Sequence, residues 1–272
     1  MAVPRDHVTP GTIGRGYSAT AADYDAAVRY NIEGAQRLIN AMPQGDYARV
    51  IDIGCGTGVG SLAMARRFPS VREITGVDPS AGMLDQFRAK LQDAPDVAVS
   101  LVEGGVDDLD VPDGRFDAAI MTMSFHWFPR KAAATQRIAR ALAPGGIFAA
   151  VLPGEGVDEE FRSLLAQVEP PHTAFLGSFQ AAPRSLRQMD AYLEGAGLEV
   201  LDMWIERRLR RSSVDAYLER MRVVAGHLGQ GMDPADLEQN LAALRAKMED
   251  AAGPRGFEYE FCKLFAIARR PA

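Results

Sequence analysis

The run Val50-Ile51-Asp52-Ile53-Gly54-Cys55-Gly56-Thr57-Gly58-Val59-Gly60 passes from a short apolar stretch, interrupted only by Asp52, into glycines at every second position. A continuous apolar run of this length reads as a buried strand, and Val59 to Phe68 beyond it has helical spacing. Glycines between a strand and a helix remove the Cβ atoms that keep a ligand away from the backbone, and the helix start offers free N–H groups to polar ligand atoms. A second apolar strand, Glu73 to Asp78, ends on a carboxylate 20 residues after Gly58. A carboxylate there can accept both ribose hydroxyls of a nucleoside.

Outward from this unit the same alternation continues. Strands are expected over 97–103, 116–123 and 145–152, with helices over 81–91 and 131–142 between them. Buried strands separated by helices imply a parallel sheet covered on both faces, a doubly wound α/β architecture. Upstream, Pro4, Pro10, Gly11, Gly14 and Gly16 mark a loop or mobile arm, followed by a lead-in helix from Asp23 to Met42. Downstream of Pro153 come a helix over 159–168, a turn-rich stretch through Pro170, Pro171 and Gly177, and a helix over 185–195. Two late strands, 198–206 and 257–269, flank a polar helical stretch carrying Leu237, Leu241, Leu244 and Met248, which reads as an inserted cap. The division expected is an arm and lead-in helix over 1–45 and a ligand-binding domain over 46–272, with the cap inserted at 207–253.

Composition narrows the partner. Of 272 residues, 47% are hydrophobic and 24% charged, which is ordinary for a folded globular chain. The net charge of −6 makes no electrostatic case for nucleic acid or an anionic membrane, so a small-molecule partner is expected, with the chain a monomer or homodimer. No apolar run is long enough to span a bilayer and no signal core follows the start, so the expected location is cytoplasmic. Cys55 and Cys262 form no disulfide framework, and no Cys/His cluster has metal-ligand spacing, so no metal is expected.

The glycine spacing separates two cofactors. A dinucleotide fingerprint needs G-x-G-x-x-G, but counting from Gly54 the third position is Val59 and counting from Gly56 it is Ser61. Asp52, two residues before the first glycine, would repel a pyrophosphate and attract an ammonium. Asp52-x-Gly54-x-Gly56-x-Gly58 with Asp78 resembles the class I methyltransferases that use S-adenosyl-L-methionine (SAM) and release S-adenosyl-L-homocysteine (SAH). Gly104-Gly105-Val106-Asp107-Asp108-Leu109, Arg115-Phe116-Asp117, Ser124-Phe125-His126-Trp127-Phe128 and Leu142-Ala143-Pro144-Gly145-Gly146 are similar to its small-molecule branch. The closing Leu264 to Arg270 resembles the end of the trans-aconitate methyltransferases, and the likeness spans residues 20–270.

The resemblance implies a Rossmann-like seven-strand sheet and a set of cofactor contacts. Asp52, Gly54, Gly56 and Gly58, with Cys55 and Thr57 between them, would hold the methionine part, and Asp78 with Pro79 the ribose. The family commonly has Gly-Asp-Ala after the third strand where this chain has Gly104-Gly105-Val106, leaving the Val106 N–H or the Asp107 carboxylate to meet adenine. Met83 packs on adenine or in the core. Tyr24, Met121 and Thr122 would complete the cofactor wall, with Tyr17, Ser124, Trp127 and Arg208 toward the acceptor.

In-line methyl transfer needs alignment and exclusion of water above all. A carboxylate acceptor needs no base, whereas a hydroxyl, amine or carbon acid does. His126, after the fourth strand, is the candidate base; otherwise it is a pocket wall beside Trp127. Glu206-Arg207-Arg208-Leu209-Arg210-Arg211 is either an anion site or a solvated face, and His172 and His227 read as loop residues. The alternatives are a SAM-binding sensor or partner subunit without turnover and a methyltransferase of protein or RNA, for which a basic face with aromatic residues is wanted and against which the net charge of −6 and the lack of a basic tail count.

Overall fold

The computed structural model describes residues 10–93, 96–109, 111–168, 185–225 and 234–272. The turn-rich stretch through Pro170, His172 and Gly177, and the Gly226–Gly231 segment with His227, lie outside the described residues. Helices α1 (Pro10–Ala27) and α2 (Arg29–Ala41) precede an alternation of β1 (Arg49–Ile53), α3 (Val59–Arg67), β2 (Glu73–Asp78), α4 (Ala81–Lys90), β3 (Ala98–Glu103), β4 (Phe116–Thr122), α5 (Lys131–Ala141) and β5 (Leu142–Pro153). Then come α6 (Glu159–Leu165), α7 (Leu186–Gly195), β6 (Glu199–Ser212), α8 (Val214–Ala225), α9 (Pro234–Ala251) and β7 (Phe257–Arg269).

The strands form one seven-stranded sheet in the order β3-β2-β1-β4-β5-β7-β6, parallel from β3 to β5. The expectation of a doubly wound α/β sheet holds, with one qualification. β7 runs antiparallel to β5, and β6 antiparallel to β7, so the sheet is mixed. Two apolar clusters cover its faces, one around Phe116, Phe125, Phe148 and Leu264, the other around Leu38, Met64, Phe265 and Ile267. β1 lies at the centre, where the strand order reverses, and its carboxyl end therefore opens into the crevice that such sheets use for ligands.

Two boundaries differ from the sequence reading. The supposed arm is helical from Pro10, and the lead-in helix breaks at Val28, whose φ of −120 is not helical. Pro10 suits the first position of a helix, and Gly14 serves close approach, since a Cβ there would overlap the Pro79 carbonyl. At the far end β6 runs to Ser212, paired with β7 as far as Phe257, so the arginine run is strand and the cap begins with α8 at Val214. The cap packs its own core of Tyr217, Met221, Leu244, Met248, Phe257 and Tyr259. Among the described residues no helix is long and apolar enough to cross a membrane.

Candidate functional site

The glycine turn is pinned from below. The N–H groups of Gly54 and Cys55 donate to the Val77 carbonyl at 2.7 and 3.1 Å, which ties the end of β1 to the end of β2. Gly54, Gly56 and Gly58 have φ of 72, 53 and 82, a region that costs any residue with a Cβ. Their surroundings differ. A Cβ on Gly54 would collide with Ser124 and one on Gly58 with the ring of Phe87, whereas Gly56 has nothing within 4 Å. Gly56 is thus the point where bare backbone faces the open cavity.

Asp78 closes the second side. Its Oδ2 accepts from the Gly56 N–H at 2.8 Å and its Oδ1 from the Ser80 N–H at 2.9 Å. Burial pushes its carboxyl up to about 6, against the opposing pull of those two bonds. Ser80 caps α4 through the Met83 N–H and also meets Ser18 of α1 at 2.9 Å. Beyond β3, Gly105 donates to Asp108, Val106 is buried, and Asp107 pairs with Arg130 at 3.1 Å.

α1 forms the roof. Asp25 accepts from the Thr57 hydroxyl at 2.6 Å and from the Lys90 ammonium, which also reaches the Thr57 carbonyl at 3.0 Å. Tyr17 lies edge-on to both Tyr24 and Trp127 and donates to the Val224 carbonyl of the cap at 3.2 Å. Both residues are half-buried. Desolvation pushes Tyr24 up to about 12 and Tyr17 well above its ordinary value, so each is a protonated hydroxyl at neutral pH.

These walls line a solvent-open cleft of mixed apolar and polar character, as small-molecule sites have. Most of the expected residues line it: Tyr17 and Tyr24 from α1; Gly54, Cys55, Gly56 and Thr57 from the turn; Asp78, Pro79 and Met83 from the β2–α4 junction; Gly105, Val106 and Asp107 after β3; and Thr122, Ser124 and Trp127 after β4. Five others do not line it. Asp52 is wholly buried under the turn, its Oδ2 taking the Ser61 hydroxyl at 2.7 Å, and burial pushes it up to about 7. Gly58 packs on Phe87 rather than on the cleft. Met121 is sealed in the sheet core.

His126 is turned away by geometry. A 3-10 turn over Phe125–Trp127 sends Phe125 into the core and Trp127 toward Tyr17, leaving His126 outside the cleft. The candidate base thus stands behind Trp127 and does not line the cleft. Arg208 lies on β6, in a separate groove with Arg37, Glu206 and Lys263, because β6 is the far edge strand of the sheet. Cys55 is a buried thiol pushed well up by desolvation, which leaves it inert. Asp25, Val28, Asn31, Ile32, Ala35 and Phe128 line the cleft without having been singled out in the sequence. A carboxylate beside Tyr24 near the end of α1 and an amide near the start of α2 carry no local signal of function.

The glycine cradle, the carboxylate at the end of β2 and the amide-bearing turn after β3 fit a SAM-sized nucleoside with a charged tail. Comparison with known proteins agrees. The methyltransferase-domain family matches residues 50–146. A trans-aconitate 2-methyltransferase of Methylobacterium nodulans is 32% identical over 270 residues, covering 92% of this chain and 99% of its own length. The chain belongs to the class I SAM-dependent methyltransferases. This methyltransferase is also 26% identical to a malonyl-[acyl-carrier protein] O-methyltransferase of Geobacter sulfurreducens, over 92% of this chain and 95% of the relative. In fold it is similar to the phosphoethanolamine N-methyltransferase 2 of Haemonchus contortus, solved with SAM, at a TM-score of 0.56 and 16% identity over 94% of this chain and 57% of that one. Its cofactor is SAM.

Proposed function

We propose that this methyltransferase esterifies a carboxylate oxygen of a small organic acid. The observation that carries this reading is the wall of the cleft: His126 is not part of it, and Tyr17 and Tyr24, which are, bring protonated hydroxyls, that of Tyr17 already given to the Val224 carbonyl. A carboxylate is ionised at neutral pH and needs no base, and the Tyr24 hydroxyl can donate to it. The acceptor classes in the names of the two relatives, aconitate and malonyl, point the same way.

When bound, SAM supplies a methyl group on a sulfonium, a leaving group that needs no further activation. In our reading Asp78 and Pro79 hold its ribose, while Met83, Gly105, Val106 and Asp107 surround adenine. Gly54, Cys55, Gly56 and Thr57 receive the methionine part. Thr122, Ser124, Trp127 and Tyr17 form the wall that aligns the acceptor, and α1 keeps water out by its hold on Thr57 and the cap. Asp52 holds the start of α3 through Ser61. The lead-in helices, sheet domain and cap act as one unit, working in the cytoplasm on a small molecule rather than nucleic acid, as a monomer or homodimer.

The test is methyl-labelled SAM offered with size-matched carboxylic acids, phenols and amines. Base-labile label on the acids supports the reading. Label on phenols or amines with none on any acid overturns it.

A further inference from the structure

We propose that Asn31, at the start of α2, is the residue that receives the ammonium of the SAM methionine part, the task for which the sequence singles out Asp52. The inference rests on the placement of the methionine part at the glycine turn. Asp52 does not line the cleft and already takes the Ser61 hydroxyl. Asp25 does line it, but its charge is already paired with the Lys90 ammonium while it also takes the Thr57 hydroxyl. Asn31 also lines the cleft, and its Oδ1 is buried without any hydrogen-bond partner among the described residues. Its amide also lies beside the Tyr24 phenol and favours ionised Tyr24, as an N–H donor does. The carbonyl end is thereby presented on its own.

A buried amide oxygen lacking a donor is uncommon in folded proteins and points to a ligand that brings one. Asp25, next to Tyr24 on α1, touches Thr57, and on that footing we place the Tyr24–Asn31 pair over the glycine turn. The donor expected there is the ammonium. An N–H or O–H of the acceptor has the same chemistry, and the experiment separates the two.

Calorimetric titration of the purified full chain with SAH and with 5′-methylthioadenosine, which lacks the amino-acid part, reads the contact directly. Asn31→Leu is expected to weaken SAH by about tenfold and to leave methylthioadenosine within about twofold, the loss of one hydrogen bond to a charged donor. Asn31→Asp, which keeps an acceptor oxygen and adds a charge, should restore SAH binding. Unchanged SAH affinity in Asn31→Leu with a raised KM for the acceptor would overturn the proposal in favour of the acceptor's own donor. Equal losses for both ligands, or no rescue by Asn31→Asp, would overturn it as a structural effect. Failure of the wild-type chain to bind SAH would instead remove the cofactor placement on which the proposal stands.

Discussion

Single residues in the glycine turn have separable duties. Gly58 and Gly56 both have positive φ, but only Gly58 has a buried ring where its Cβ would go. Gly58→Ala is therefore expected to lower the melting temperature by several degrees as well as SAM affinity, because Phe87 is fully buried and has no room to move. Gly56→Ala should cost folding only the roughly 1–2 kcal/mol of left-handed strain while abolishing most SAM binding, since its methyl would point into the cleft. Thermal melts paired with calorimetry distinguish the two. His126→Ala is a contrasting case: outside the cleft, it should leave turnover with saturating acceptor within about threefold, and a loss of a hundredfold or more, ~2.7 kcal/mol, would return it to the chemistry.

At the scale of elements, α1 is the part whose packing makes the site. Besides the buried Ile13 and Ala21, its hold on the rest is polar: Asp25 to Thr57 and Lys90, Ser18 to Ser80 and Gly82, Tyr17 and Thr20 to carbonyls of α8. Asp25→Ala removes the bond to the Thr57 hydroxyl and leaves Lys90 with a carbonyl alone. SAM affinity should fall about tenfold, with faster amide exchange confined to α1 and little change in the sheet, as expected for an element of low local stability. Exchange rising throughout the sheet would mean that Asp25 supports the fold as a whole. The sequence marked the stretch before Asp23 as an arm because Pro4, Pro10, Gly11, Gly14 and Gly16 are loop signals; two of those residues, Pro10 and Gly14, are instead a helix start and a contact point. Propensity yields to packing here.

For the whole molecule, four buried titratable groups set a pH response. Asp52 and Asp78 are pushed up to about 7 and about 6 by burial, so the fold favours their protonated forms. That contribution is complete below about pH 4 and is lost as the pH rises through 6 to 7. Lys131 and Lys263 are held down at about 8 and about 7, again by desolvation. Their penalty is full below pH 7 and fades as the pH climbs toward the ordinary lysine range near 10.5. Together these groups place a shallow minimum of stability between about pH 7 and 8. Melting curves from pH 4 to 10 check it: Asp52→Asn should flatten the acid limb and Lys263→Met the alkaline limb, and a maximum near neutrality in the wild type would contradict both assignments.

By itself the sequence determined the strand–turn–helix that cradles SAM, the alternation that builds the sheet, and the cap flanked by its last two strands. These are written locally, in apolar runs, glycine spacing and helical periodicity, and local sterics carry them into the fold almost unchanged. Tertiary structure decided which side chains meet in the cleft. Asp52, His126 and Met121 stand in the right segments yet point to Ser61, away from the cleft and into the core, because side-chain direction depends on the register of β1 and β4 and on a 3-10 turn set by Phe125 burial. Asp25 and Asn31 enter only because α1 and α2 pack across the sheet edge from residues far along the chain, and a contact of that kind leaves no mark in the local pattern.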